Sequence, residues 1–345
     1  MVRSGFTESR HRGTAVALGR DGQLVLAAGA VREPVFPRSS NKPLQATAML
    51  RCGLKLDGEM LALAAASHSG EDFHVSGVRE ILSGAGLSED ALQCPPDWPL
   101  DEDARRAHIL AGGSADRVHM NCSGKHAAML ATCVVNGWPT DSYTDPEHPL
   151  QQDIRRTVSE LAGEPVTAIG VDGCGAPLLA ISVLGLARAF RAMVLAPEGT
   201  AERAVADAMR AFPAWTSGTS RPDRFLMEAV PGLLLKGGAE GVDGFALADG
   251  RAGALKIDDG AARGRVPVTV ALLRELGVEG DAGTDAARLA ELAHPEVTGG
   301  GRVVGHIRAT LPSVSSADAV PPSAGSADAV PPNVSLGASP ATCRT

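Results

Sequence analysis

The sequence predicts a mixed α/β protein of the α+β kind, with an antiparallel-rich sheet and helices on both of its sides. Three observations carry that expectation. Short apolar runs split by glycine turns cluster near both ends, at 14–28 and 230–257. Runs with helical spacing fill the interval between them. That order suits a sheet assembled from both termini, with a helical lobe inserted at roughly 60–225.

The elements follow in turn. Residues 14–18 and 23–28 flank Gly19-Arg20-Asp21-Gly22, and an Asp-Gly turn between apolar runs signals an antiparallel hairpin. Ser39-Ser40-Asn41-Lys42 opens a helix that should stop at Gly53. Pro43 disfavours helical geometry at Lys42, which moves the helix start towards the lysine. Residues 60–66 and 75–85 read as helices, Leu87-Ser88-Glu89-Asp90 as a helix start, and the chain from Cys94-Pro95-Pro96 as loop. Helices are predicted over 126–135 and 151–161, then a buried strand over 166–171 that delivers Asp172-Gly173-Cys174-Gly175 to a tight turn. Helices over 178–190 and 201–212 follow. Residues 230–236 and 241–247 read as strands around Gly237-Gly238, with a third at 254–257. Amphipathic helices are expected over 268–276, with Pro267 in the first turn, and over 285–292.

Residues 1–310 are therefore expected to form a single catalytic unit. From 311 to 345 the chain turns Pro/Ser/Ala-rich, and Ser316-Ala317-Asp318-Ala319-Val320-Pro321-Pro322 recurs at 326–332. Such a segment has too little apolar bulk to pack, so a disordered tail is predicted, with Cys343 outside the fold.

Composition narrows the function. Of the 345 residues 44% are hydrophobic but only 3% aromatic, so the core must be built from Ala, Val and Leu. A net charge of -8 and a pI near 5.6 argue against nucleic acid or an anionic membrane as partner. The start of the chain carries no apolar leader and no later stretch has membrane-spanning length, so a cytoplasmic protein is expected. Six cysteines in a chain this long are buried thiols or site residues rather than a disulfide framework.

Ser39 and Lys42 stand in a Ser-x-x-Lys spacing, which puts both on one face of a helix. A serine hydroxyl needs an adjacent base to become a nucleophile, and a lysine serves if burial or nearby cations depress its pKa. Arg38 is one such cation. Read alone, so short a spacing favours an N-cap serine beside a solvated lysine, and only the context of the other blocks reverses that. Lys236, at the end of an apolar run before Gly237-Gly238, suits a strand lysine on the floor of a serine-enzyme site. It would make a second pair with Ser67 or Ser69. Cys122, Lys125 and Cys174 offer two thiolates and a nitrogen, a set that suits zinc with one position left for water. Two buried thiols beside an anion-binding lysine are the alternative. His126 adjoins the set as ligand, substrate donor or core histidine. His11, His74, His108, His119, His148, His294 and His306 show no metal-type spacing and receive no role.

Six blocks in order carry a resemblance: residues 9–13 (Ser-Arg-His-Arg-Gly), Arg38-Ser39 through Gln45, Ser67-His68-Ser69-Gly70-Glu71, Asn121-Cys122-Ser123-Gly124-Lys125-His126, residues 171–177, and Lys236-Gly237-Gly238 through Val242. Together they resemble the Rhizobium-type (class 3) L-asparaginases, the asparaginase II family. The resemblance implies a fold like serine β-lactamases and glutaminases, and hydrolysis of L-asparagine to L-aspartate and ammonia. It implies Ser39 as nucleophile with Lys42 as base, and Ser67 with Lys236 as the second Ser–Lys pair. It further implies zinc on Cys122, Lys125 and Cys174, substrate held by Arg38, His126 and Asp172, and a homodimer. The chain departs from the family pattern at Asn41 and at Ala127-Ala128. A glutaminase, a β-lactamase-like hydrolase and a non-catalytic zinc-stabilised binding protein are the competing readings.

Overall fold

In the computed structural model, which describes residues 1–312, the two strand groups meet in one five-stranded antiparallel sheet. Its order is Leu24–Ala28, Gly13–Leu18, Ala252–Ile257, Val242–Ala246, Leu234–Gly238. The N-terminal hairpin and the C-terminal strands join at mid-sheet, with Gly13 opposite Ile257 and Leu18 opposite Ala252. The predicted class, an antiparallel sheet closed from both ends of the chain, is thus realised.

The two-residue period of each strand sends alternate side chains to opposite faces, and both faces are covered. Val16, Leu18, Val242, Ala246 and Ala254 pack with helices Lys42–Arg51, Ser123–Asn136 and Val183–Leu195. Ala15, Ala17, Leu235, Phe245 and Leu255 pack on the other face with helices Pro222–Ala229, Arg265–Glu275 and Ala286–Ala293. Small residues let the layers close. A Cβ on Gly244 would stand 2.7 Å from the Phe190 ring, so the strand can meet that helix only as glycine. Among the described residues no helix is long and apolar enough to cross a membrane.

Several elements differ from the sequence reading. The Ser39 segment is a 3-10 turn, Arg38–Asn41, and the α-helix begins at Lys42 with Pro43 in its first turn; Lys42 is helical (φ -59°, ψ -36°) despite the proline that follows it. The helix start at 87–90 yields only a 3-10 turn, Glu89–Ala91. The segment assigned to loop instead holds the helix Glu102–Leu110, capped by the Asp101 carboxylate on the N–H groups of Asp103 and Ala104. The strand at 166–171 shortens to Ile169–Val171 and is an edge, not buried: Val171 is 79% exposed. The helix at 178–190 starts only at Val183, because Pro177–Leu179 pairs with Ile169–Val171 as a strand. Gly237 and Gly238 lie within the strand Leu234–Gly238, and the turn falls at Ala239-Glu240-Gly241. The terminal segments form a second sheet that the sequence did not announce, in the order Glu296–Gly299, Arg302–His306, Val2–Arg3, Phe6–Thr7. The repeat tail and Cys343 lie outside the described residues.

Candidate active site

The turn Arg38–Asn41 abuts the end of the strand Leu234–Gly238, and glycine makes that approach possible. A Cβ on Gly238 would stand 2.6 Å from the Pro37 carbonyl oxygen and 3.1 Å from the Ser40 nitrogen. On the helical side, a Cβ on Gly124 would stand 2.8 Å from the Leu63 carbonyl oxygen. Helix Ser123–Asn136 therefore presses on helix Gly58–Ala64 and brings Cys122 against the Ala66-Ser67 segment.

Lys42 lies where these parts meet, 1% exposed. Its amine donates to the Ala66 carbonyl (2.6 Å), the Ser67 hydroxyl (2.9 Å) and the Cys122 sulfur (3.0 Å). No hydrogen bond joins it to Ser39 among the described residues. The Ser39 hydroxyl, half-buried, has no partner there. The two serines of the 67–71 block are told apart: Ser67 faces Lys42, whereas Ser69 donates to Glu71 at 2.5 Å. Asn41 is buried with its amide nitrogen unpartnered.

Arg38 adopts φ 52°, a left-handed conformation that costs a non-glycine residue energy and gathers at functional sites. Its Nε donates to Asp172 at 2.8 Å. The loop after Asp172 turns back on itself, with Gly175 at φ 86°, and seats Cys174 3.0 Å from the Lys125 amine. The neighbouring Cys174 sulfur, together with burial, raises Cys122, while Cys122 and the Lys125 ammonium lower Cys174 against the effect of its burial. Burial alone would lower Lys125, but the charges of Cys174 and Cys122 outweigh it and raise its pKa. The Tyr143 hydroxyl accepts the Gln93 N–H and donates to His126 Nδ1 at 2.7 Å. His126 Nε2 lies near Cys174 without reaching hydrogen-bonding geometry, so it is a buried polar atom without a partner. Burial keeps this ring neutral.

Two buried sulfurs with an amine on one of them, Cys122, Lys125 and Cys174, form a donor set that fits zinc. Lysine binds a metal only when neutral, so the lysinium held here would surrender a proton on metal binding.

Lys236 is buried, and burial depresses its pKa to about 7, with Asp223 opposing and Lys42 and Arg265 adding to the shift. Its amine donates to the Gly237 carbonyl at 2.6 Å, and no hydrogen bond among the described residues links it to Ser67 or Ser39. Behind it lies a network with no signal in the sequence. Asp223 accepts from the Gly237 N–H (2.9 Å) and from Arg265 (2.7 Å). Arg265 also pairs with Asp243, which takes the Thr269 hydroxyl at 2.6 Å. Burial would raise Asp223, but Arg265 and Lys236 hold it low, while burial lifts Asp243 to about 6. His68 was also missed as a support. It accepts the Gly70 N–H on Nδ1, so its Nε2–H faces Ser123 at 2.8 Å. A cavity of about 680 Å³ lies elsewhere, between residues 9–15 and 307–312, and includes none of these groups.

A mixed α/β scaffold thus gathers buried lysines and thiols, with two half-buried serines, where two helices and a strand end meet. The chain belongs to the L-asparaginase II family, whose profile matches residues 1–309. No curated protein matches it. Among solved structures, the native form of Mglu in 4.3 M NaCl is 15% identical over 79% of this chain, with a TM-score of 0.43. This chain spans 62% of Mglu's length. A β-lactamase from Mycobacterium bovis is 16% identical, covering 76% of this chain and 94% of its own, with a TM-score of 0.45. A β-lactamase from Burkholderia vietnamiensis is 13% identical over 82% and 91% of the two chains, with a TM-score of 0.34.

Proposed function

We propose that the protein is an L-asparaginase that splits the side-chain amide of L-asparagine by a serine–lysine mechanism. The observation that carries this reading is the buried Lys42 amine, fenced by Ser67 and Cys122 and adjoining a turn that presents a serine hydroxyl free of partners. Arg38 and Asp172 neutralise each other in the unliganded protein. A substrate carrying both an α-carboxylate and an α-ammonium replaces each partner for the other, so a zwitterionic amino acid suits the pair. The buried Nε2–H of His126 is a further donor for it.

The scheme uses Lys42 as the neutral amine, with two of its three donor contacts kept and its lone pair turned to Ser39; Ser39 Oγ attacks the amide carbon and its proton passes to Lys42. The C–N bond breaks as a proton relayed through Ser67 reaches the departing nitrogen, releasing ammonia and leaving an ester on Ser39. Water then attacks the ester, yields its proton to the Ser39 oxygen through Lys42, and frees aspartate. Lys236 holds the positive field at the strand edge and exchanges its proton near neutral pH. Cys122, Lys125 and Cys174 would hold zinc, which when bound supplies a fixed cross-link between the two glycine turns.

Because Lys42 donates to Ser67, a second reading makes Ser67 the nucleophile and Ser39 the relay. Ammonia release from asparagine by Ser39→Ala and Ser67→Ala decides. The first reading expects Ser39→Ala to lose more than ~10⁴-fold in kcat, since removing a nucleophile removes the whole covalent route. An active Ser39→Ala with a dead Ser67→Ala selects the second. Full activity in both defeats the serine–lysine scheme. Glutamine differs by one methylene, a difference worth only about 1–3 kcal/mol, so both amides are to be compared. A homodimer is part of the same proposal, and light scattering reads it directly.

A further inference from the structure

Two histidines that carry no metal-type spacing in the sequence are neighbours in space. His108 sits in the last turn of helix Glu102–Leu110. The chain then reverses at Gly112, φ 81°, and a Cβ on Gly113 would collide with the His108 ring. The returning segment places the ring of His119 with its centroid 4.2 Å from that of His108. Asp116 lies between them. Both its carboxylate oxygens are 2.8 Å from His119 Nδ1, and one is 3.8 Å from His108 Nε2. The geometry is braced. Asp116 is held by an antiparallel bridge to Asp97, with N–H to O distances between the two of 2.9 and 3.2 Å. The edge of Trp98 packs on the His108 ring.

We propose that His108, Asp116 and His119 form a second divalent transition-metal site, separate from the Cys122–Lys125–Cys174 set. One ligand atom from each lies within 4.8 Å of the other two. Ligands held about 2.0–2.1 Å from a tetrahedral ion stand ~3.3 Å apart. The separations of 2.8 and 3.8 Å bracket that value, so small side-chain rotations admit an ion. Two imidazoles and a carboxylate suit zinc, cobalt or nickel, whereas calcium and magnesium prefer all-oxygen cages. The Ser114 carbonyl, 2.9 Å from His108 Nε2, stands ready as a fourth ligand. On binding, the proton on each ligating nitrogen moves by exchange with solvent to the ring's other nitrogen, His119 Nε2 and His108 Nδ1, so both imidazoles ligate as neutral rings and no other reactant is needed. All three side chains retain solvent contact, which gives the ion a way in.

An ion here would cross-link the end of helix Glu102–Leu110 to the segment that runs, three residues later, into Cys122. The same groups without an ion amount to a histidine–carboxylate contact of ordinary strength. The two versions differ in zinc content. Full-length protein is stripped with chelator, loaded with zinc, dialysed and analysed for zinc per chain. The compared chains are wild type, Asp116→Asn, the double variant His108→Gln/His119→Gln, and Cys122→Ser/Cys174→Ser. The expected result is loss of one zinc equivalent in both the histidine and Asp116 variants. The cysteine variant keeps one, and its cobalt form shows d–d bands without a thiolate charge-transfer band. Wild-type zinc content in the histidine variant overturns the proposal, as does a folded cysteine variant that holds no metal. Asp116→Asn preserves size, and a circular dichroism spectrum equal to wild type separates lost binding from lost fold. The outcome does not depend on which amide the protein hydrolyses.

Discussion

A lysine enclosed by protein on every side keeps its proton only if something nearby repays the lost hydration, and Lys236 has too little compensation. Burial takes it from 10.5 to about 7, although Asp223 works against the shift. In the unfolded chain the amine holds its proton up to about pH 10.4. Between pH 7 and that value the unfolded state binds more protons than the folded one, so stability rises with pH there. The slope limit is about 1.4 kcal/mol per pH unit. Denaturation midpoints of wild type are therefore expected to climb between pH 7 and 9, and Lys236→Met should flatten that climb. An unchanged slope in the variant would show that Lys236 is charged in the fold. Local spacing had brought this lysine and its neighbours into view, but not their partners. Lys42 was matched to Ser39 because three residues separate them, yet its amine meets Ser67, twenty-five positions away. Contacts over that range depend on how two helices pack, and no motif encodes them.

Elements rather than side chains aim the proposed nucleophile. Gly238 meets the Pro37 carbonyl and the Ser40 nitrogen, so the strand edge and the serine turn are in van der Waals register. Gly238→Ala forces a methyl group into a 2.6 Å gap against backbone, which cannot swing aside. The turn must shift by some tenths of an ångström, and small displacements of a reacting group cost as much as ~100-fold in rate. We expect kcat for asparagine to fall roughly 10- to 100-fold, with about 1–3 kcal/mol of stability lost to overpacking. Steady-state kinetics beside thermal melts check both, and a variant with unchanged kcat would detach the strand from the chemistry. This close approach shows how far element prediction reaches. The Asp-Gly hairpin was legible because its turn residues have one conformational use. The helix Glu102–Leu110 was not, although Asp101 is a sound N-cap, because the Pro-rich stretch before it dominated the reading. Residues 178–182 read as helix because a short apolar run has no period of its own, and only the pairing of Pro177–Leu179 with Ile169–Val171 decides it.

At the scale of the whole molecule, the proposed site straddles two bodies of packing. Lys236 belongs to the sheet, while Lys42, Ser67, Cys122 and Lys125 belong to the helical layer on one of its faces. The loop of Asp172 and Cys174 meets Arg38 of the serine turn and Lys125 of that layer through polar contacts, with Cys174 and Ala176 buried in the same core. A metal on Cys122, Lys125 and Cys174 would tie this loop down, whereas the strands Gly13–Leu18 and Ala252–Ile257, buried on both faces, gain nothing from it. Cys122→Ser/Cys174→Ser should therefore loosen one region only. A ligand present at a thousand times its Kd adds about 4 kcal/mol, which for a chain of this size shifts Tm on the order of 10 °C. Hydrogen exchange should then quicken at 66–70, 121–126 and 172–176 and stay slow at 13–18 and 252–257, because local opening follows local contact energy. Equal Tm and equal exchange in the zinc-loaded wild type and the variant would mean that the two sulfurs hold no metal. Lys125 would then remain what the ion-free geometry makes it, an ammonium paired with a thiolate.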